Sequence, residues 1–165
     1  MATLMEGSRA PAIDLPLAGG GRFNLETALA AGPVVLAFFK VSCPICHYAF
    51  PYYDRLGRFL QGRGVSVIGV SQDNEGATAR FAQDCGVTFP IALDELNRFP
   101  VSSAYGLTNV PTLFEVDQSG MIVAVSVGWS RGDVEALYAK HVAEGGVAIA
   151  PLFQATETVA DYRPG

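Results

Sequence analysis

Residues 34–46 read Val-Val-Leu-Ala-Phe-Phe-Lys-Val-Ser-Cys-Pro-Ile-Cys, an apolar segment running almost directly into a spaced pair of cysteines. Val34 to Phe39 is apolar without alternation, the pattern of a strand covered on both faces. Ser42 is a good helix cap and Pro44 suits a first turn, so a helix is expected from about Cys43. It should reach about Leu60, kink at Pro51, and end at Gly62 and Gly64.

Working outward, Ala12 to Leu17 and Arg22 to Leu25 flank Gly19-Gly20-Gly21 and read as a hairpin, followed by a short helix from Glu26 to Ala31. Downstream, Val65 to Val70 reads as a second buried strand. Asn74 opens a helix that runs to about Asp84 and stops at Gly86. Phe89 to Leu93 reads as a short strand and Pro100 to Tyr105 as a helical turn. Thr112 to Val116 and Met121 to Val127 read as two strands joined by the turn Asp117-Gln118-Ser119-Gly120, and Asp133 to Ala143 as the last helix. Residues 146–165 show little periodicity and are expected to wrap the surface. Strands alternating with helices place the chain in the α/β class.

The composition excludes several kinds of protein. Half of the 165 residues are hydrophobic and 16% are charged, which supplies a core and argues against disorder. The longest apolar run, Pro33 to Phe39, is far short of the roughly 18 residues that cross a bilayer, so no membrane segment is expected. A net charge of −5 with scattered basic residues argues against a nucleic-acid partner. Met1 to Leu17 lacks the pattern of a secretory leader, so the expected location is cytoplasmic, or periplasmic if a leader was removed. Three cysteines are too few for a disulfide framework.

The pair is therefore read as chemistry. Cys43 falls at a helix N-terminus, where unpaired N–H groups and the helix dipole stabilise a thiolate and should lower its pKa. Cys46 lies one turn deeper on the same face, and Pro44 and Ile45 add no charge. At this spacing one thiol can attack a disulfide and the other resolve the mixed disulfide, with Cys43 the nucleophile and Cys46 the resolving thiol. The cysteine pair carries the electrons, so no metal or organic cofactor is required.

With these motifs the sequence resembles the thioredoxin superfamily, and more closely its TlpA/ResA-like thiol–disulfide oxidoreductases, relatives of the AhpC/TSA redoxins. The resemblance runs from Gly7 to about position 145. It rests on Ala10-Pro11, Val34 to Phe39, Cys43-Pro44-Ile45-Cys46, Phe50-Pro51, Gly86-Val87-Thr88-Phe89-Pro90, Tyr105-Gly106-Leu107 and Val110-Pro111-Thr112. It implies a thioredoxin-like fold in which a central mixed β-sheet carries helices on both faces and an N-terminal β-hairpin extension. Residues 1–145 would form that domain and 146–165 a C-terminal surface tail. It also implies a cis Pro111 beside Cys43, with Val110, Thr112, Pro44 and Ile45 shaping the substrate groove. The Val110 backbone would then be open to an extended peptide added as a strand. Expected partners are protein disulfide or dithiol substrates and a reductant or oxidant that the sequence does not identify.

The sequence also departs from the family. Thioredoxins often carry a buried carboxylate where Ala37 stands, and ResA-like proteins a Glu where Ala49 stands, and many thioredoxins have Trp where Ser42 stands. The buried thiol thus lacks its usual proton acceptor, and Lys40 and His47 are the nearest titratable candidates for proton transfer. Peroxiredoxins share the fold, but Lys40 occupies the place of their peroxide-binding Thr or Ser relative to Cys43. Cys43 to His47 matches the C-x-x-C-H haem pattern, yet follows a buried strand rather than lying in a helical wrap. Structural zinc would need Cys43, Cys46, Cys85 and a histidine to converge. A redox-inactive binding adaptor is opposed by the intact pair. Elsewhere Cys85 reads as a small buried hydrophobe, His141 as a solvated helix residue, Trp129 as packing, and Phe38, Phe39, Phe59 and Phe81 as core.

Overall fold

The hairpin, first helix and central strand follow one another as expected. They are β1 (Asp14–Pro16), β2 (Arg22–Asn24), α1 (Leu25–Ala31) and β3 (Val34–Phe39), in a computed structural model that describes residues 2–142 and 151–165. Next come α2 (Pro44–Gln61), β4 (Ser66–Ser71), α3 (Glu75–Cys85), β5 (Ile91–Leu93) and α4 (Pro100–Ala104). The second half holds β6 (Thr112–Val116), β7 (Ile122–Val127), β8 (Trp129–Ser130), α5 (Arg131–Val142) and β9 (Tyr162–Arg163). The expected boundary between residues 145 and 146, and the end of the last helix at Ala143, lie outside the described residues.

The main sheet has the order β5-β4-β3-β6-β7. The β3–β4 and β4–β5 pairs are parallel, while β3–β6 and β6–β7 are antiparallel. This is the mixed sheet of a thioredoxin-like fold, and β3 lies at its centre because every one of its six residues is buried. Successive side chains of a strand point to opposite faces. Val35, Ala37 and Phe39 accordingly enter a core beneath α2, α3 and α5, and Val34, Leu36 and Phe38 enter a second beneath α1, α4 and the hairpin. In the first core the Phe39 ring lies 4.5 Å from both Phe50 and Phe81, contacts worth about 0.5–1.5 kcal/mol each beyond their burial.

Several details differ from expectation. The residue capping α2 is Cys43, not Ser42: its sulfur accepts from the Cys46 N–H at 3.3 Å. Helix α5 starts two residues early because Ser130 Oγ accepts from the Asp133 N–H at 3.2 Å. Phe59 is 42% exposed, lying against Tyr138 at the edge of the fold. His141 is not solvated: its Nε2 lies 2.6 Å from Oε1 of the buried Glu115, which also accepts from Lys140 Nζ at 3.1 Å. This carboxylate pins α5 to β6. The C-terminal segment buries Leu152, Phe153 and Val159 in the first core, and β9 pairs antiparallel with β8, a contact that the aperiodic sequence did not suggest.

Candidate active site

Where β3 leaves the sheet, the chain turns through Lys40, Val41 and Ser42. The Val41 N–H donates to Asp73 Oδ2 at 2.7 Å and the Cys43 N–H to the Lys40 carbonyl at 3.2 Å. Asp73 sits after β4 and was not singled out in the sequence, where the adjacent cap Asn74 is the more visible signal. The turn delivers Cys43 to the start of α2, with Pro44 in the first helical positions where a missing N–H costs nothing. Cys43 is partly exposed and Cys46, one turn on, is fully buried.

The second wall comes from the loop before β6. The Val110–Pro111 peptide is cis, and Cys43 Sγ donates to the Val110 carbonyl at 3.4 Å. Thr112 is buried, and its hydroxyl donates to the Asn109 carbonyl at 2.8 Å, so it holds this loop closed on itself. Cys43, Cys46, Val110 and Pro111 thus converge, with Pro44 exposed and Ile45 partly exposed at the rim. A cleft of about 80 Å³ beside them is lined by Lys40, Gln72, Leu107, Thr108, Asn109 and Val110. A larger cleft of about 190 Å³ between β7 and α5, lined in part by Glu115, Ser126 and Asp133, contains no cysteine.

Burial pushes the Cys46 thiol far above the usual thiol range. The nearby Cys43 and Cys85 add to the rise, and a hydrogen bond with the Lys40 backbone opposes it. Ala37 and Ala49, which offer no carboxylate, are both fully buried in the core that holds Cys46. The Lys40 side chain is exposed. His47 turns away from the pair: its Nε2 lies 2.7 Å from the Val41 carbonyl, its Nδ1 3.9 Å from Cys85 Sγ, and its ring edge-on to Phe81. Cys85 is partly exposed rather than a sealed core residue, and its thiol also reaches the His47 carbonyl at 4.0 Å. That carbonyl is the one left without a helical donor by Pro51. Tyr53 is buried on α2 with its hydroxyl lacking a hydrogen-bond partner among the described residues. Among the described residues no group of three His, Cys, Asp or Glu side chains is placed to hold a metal ion.

The AhpC/TSA family profile matches residues 7–125, from the N-terminal extension into β7 and across both cysteines and the cis proline. The chain belongs to the AhpC/TSA family. Within that family it is a thioredoxin-fold thiol–disulfide oxidoreductase of the ResA-like kind. It is 31% identical over 127 residues to the thiol-disulfide oxidoreductase ResA of Bacillus subtilis, covering 76% of this chain and 69% of ResA. Another AhpC/TSA-type relative, from Mycobacterium tuberculosis and assigned as a peroxiredoxin, is 30% identical over 131 residues, covering 73% of this chain and 83% of its own. Among solved structures, a protein of Chlorobium tepidum assigned as the thiol:disulfide interchange protein DsbE superposes with a TM-score of 0.74. Its identity is 27%, over 86% of this chain and 98% of that one. No described helix of this AhpC/TSA chain is long and apolar enough to cross a membrane.

Proposed function

We propose that Cys43 is the nucleophile and Cys46 the resolving thiol of a disulfide exchange whose substrates are polypeptide disulfides. The observation that carries this reading is the position of Cys43 Sγ, between the Cys46 N–H that it accepts and the Val110 carbonyl to which it donates. The first contact can stabilise a thiolate. The second places the sulfur beside a backbone edge able to pair with an extended chain.

In the reducing direction Cys43 thiolate attacks one sulfur of the substrate disulfide. A Cys43–substrate disulfide forms and the other substrate sulfur leaves as a thiolate that takes a proton. Cys46 then loses its proton to solvent and attacks Cys43 Sγ. The Cys43–Cys46 disulfide forms, the second substrate thiol is released, and two electrons and two protons have passed to the substrate. A dithiol donor restores the pair. The two sulfurs account for all the electrons, so no further redox group enters the balance.

Substitution tests the assignment. Cys43→Ser should abolish dithiothreitol-dependent reduction of insulin, while Cys46→Ser should accumulate mixed disulfides on Cys43. Full activity in Cys43→Ser together with its loss in Cys85→Ser would overturn the reading. The relative assigned as a peroxiredoxin favours a second reading, thiol peroxidase. Peroxide consumption dependent on Cys43 and as fast as disulfide exchange would establish it. Slow turnover is expected, because exposed Lys40 stands where a peroxide-binding hydroxyl is needed.

A further inference from the structure

The C-terminal segment returns to the site that the exchange reaction uses. Arg55 on α2 grips Glu157 with two contacts of 2.7 and 2.9 Å, and Val159 is buried just before the chain turns toward the cysteines. Ala160 is then held from both sides: Trp129 Nε1 donates to its carbonyl at 2.7 Å, and its N–H donates to the Tyr48 hydroxyl at 2.9 Å. Beyond it β9 pairs with β8, and the Arg163 guanidinium lies 4.3 Å from the centre of the Tyr48 ring.

The end of this segment reaches the cis-proline loop itself. Asn109 Nδ2 donates to the Gly165 carbonyl at 3.0 Å. Gly165 is seated so closely on Val110 that a Cβ there would run into the Val110 carbonyl. Gly128 is packed against the same stretch, where its own Cβ would stand 2.7 Å from the Arg163 carbonyl, and its N–H donates to the Pro111 carbonyl at 2.8 Å. The Val110 N–H has no hydrogen-bond partner among the described residues and its carbonyl accepts from Cys43 Sγ, so the strap covers this backbone edge without pairing with it. An edge left in that state is available to a better-matched strand.

We propose that residues 160–165 form a strap over the polypeptide-binding side of the cis-proline loop. An extended disulfide substrate pairs with Val110 only after the strap moves aside, whereas a small disulfide reaches Cys43 directly. The proposal rests on the reading of Cys43 and Val110 given above. The strap is built to peel: its root at Val159 is buried, while residues 161–165 are all exposed and held by a ladder only two residues long, the Arg131 N–H on the Asp161 carbonyl, the Arg163–Tyr48 contact and the Asn109 bond to Gly165. So short a pairing is marginal alone. Cys43 is already partly exposed, and the small cleft lined by Lys40 and Gln72 also borders Val110.

Two full-length variants loosen the strap without touching the cysteines. Arg163→Pro removes the guanidinium from Tyr48 and puts a proline in the ladder. Gly165→Val drives a side chain into the Val110 carbonyl. Each reduced protein, with Cys85→Ser added throughout so that this second partly exposed thiol cannot react, is mixed in stopped flow with Ellman's reagent, a small disulfide, and with an extended peptide whose cysteine carries thionitrobenzoate. In both reactions Cys43 forms a new disulfide and thionitrobenzoate leaves as the coloured thiolate. Loosening should raise the peptide rate constant about tenfold, as for a site otherwise open about a tenth of the time, and change the small-disulfide rate less than about twofold. An unchanged or slower peptide rate in both folded variants overturns the strap. Cys43→Ser in the same assays separates the two claims: if thionitrobenzoate release persists there, the nucleophile assignment fails, whatever the strap does.

Discussion

Cys46 is the residue whose surroundings most constrain the rate of exchange. It is fully buried, its thiol is held well above the usual range by that burial, and the two positions that could carry a carboxylate are Ala37 and Ala49. His47, though next in sequence, spends its ring nitrogens on Val41 and Cys85. Resolution of the mixed disulfide should therefore limit turnover, and its rate should follow the small thiolate fraction, rising about tenfold per pH unit from neutral into mildly alkaline solution. Ala49→Glu should quicken that step near pH 7 and flatten its pH dependence, measured as stopped-flow decay of a Cys43 mixed disulfide. Equal rates and equal profiles in a folded variant would show that water or Lys40 already accepts the proton. Cys43 and Cys46 could be picked out from spacing alone, because their chemistry is local. His141 could not, since its partner Glu115 lies on a strand far away in sequence and only the packing of α5 on β6 joins them.

At the scale of elements, α2 carries the cysteines at one end and is anchored at its middle by Asp54. This carboxylate is 4% exposed and accepts from Arg58 Nε at 2.8 Å, from the Thr88 N–H at 2.6 Å and from the Thr88 hydroxyl at 2.8 Å. Burial alone would raise its pKa, but the bonds from Arg58 and Thr88 outweigh that and hold it below the usual carboxylate range. A carboxylate lowered on folding stabilises above its unfolded pKa, and that stability is lost as pH falls through the folded value. Asp54→Ala should cost about 1–3 kcal/mol at pH 7 by denaturant unfolding, and the difference from wild type should shrink below about pH 4. A constant difference down to pH 2 would mean that the side chain acts through packing and not charge. The strands were readable because burial of both faces of β3 leaves an unbroken apolar run. The β8–β9 ladder was not, since two residues on each side carry no period and the pairing depends on where the tail is anchored.

For the whole molecule, the same burial that slows Cys46 links folding to the redox state. An acid whose pKa is raised on folding binds its proton longer in the native state, so stability is intact below the unfolded pKa and declines above it. In the reduced protein this decline should begin near the ordinary Cys value of about 8.5 and approach about 1.4 kcal/mol per pH unit for Cys46. Tyr53 and Tyr105, also raised by burial, add their own share near pH 10 and beyond. Urea unfolding between pH 7 and 10 should show a flatter curve for Cys46→Ala than for reduced wild type. Parallel curves would remove Cys46 from the account.

The chain has a single tryptophan, and it is one of the residues that hold the tail. Trp129 is fully buried among Tyr48, Tyr52, Tyr53 and Phe153, with its indole N–H bonded to the Ala160 carbonyl. Any event that draws residue 160 away admits water to that nitrogen, and indole emission moves to longer wavelength when its surroundings become polar. The protein thus carries an intrinsic fluorophore wired to its own C-terminal segment. Titration with a redox-inert extended peptide, in which serine replaces cysteine, should shift the emission of Trp129 to the red, and oxidised glutathione should leave it in place.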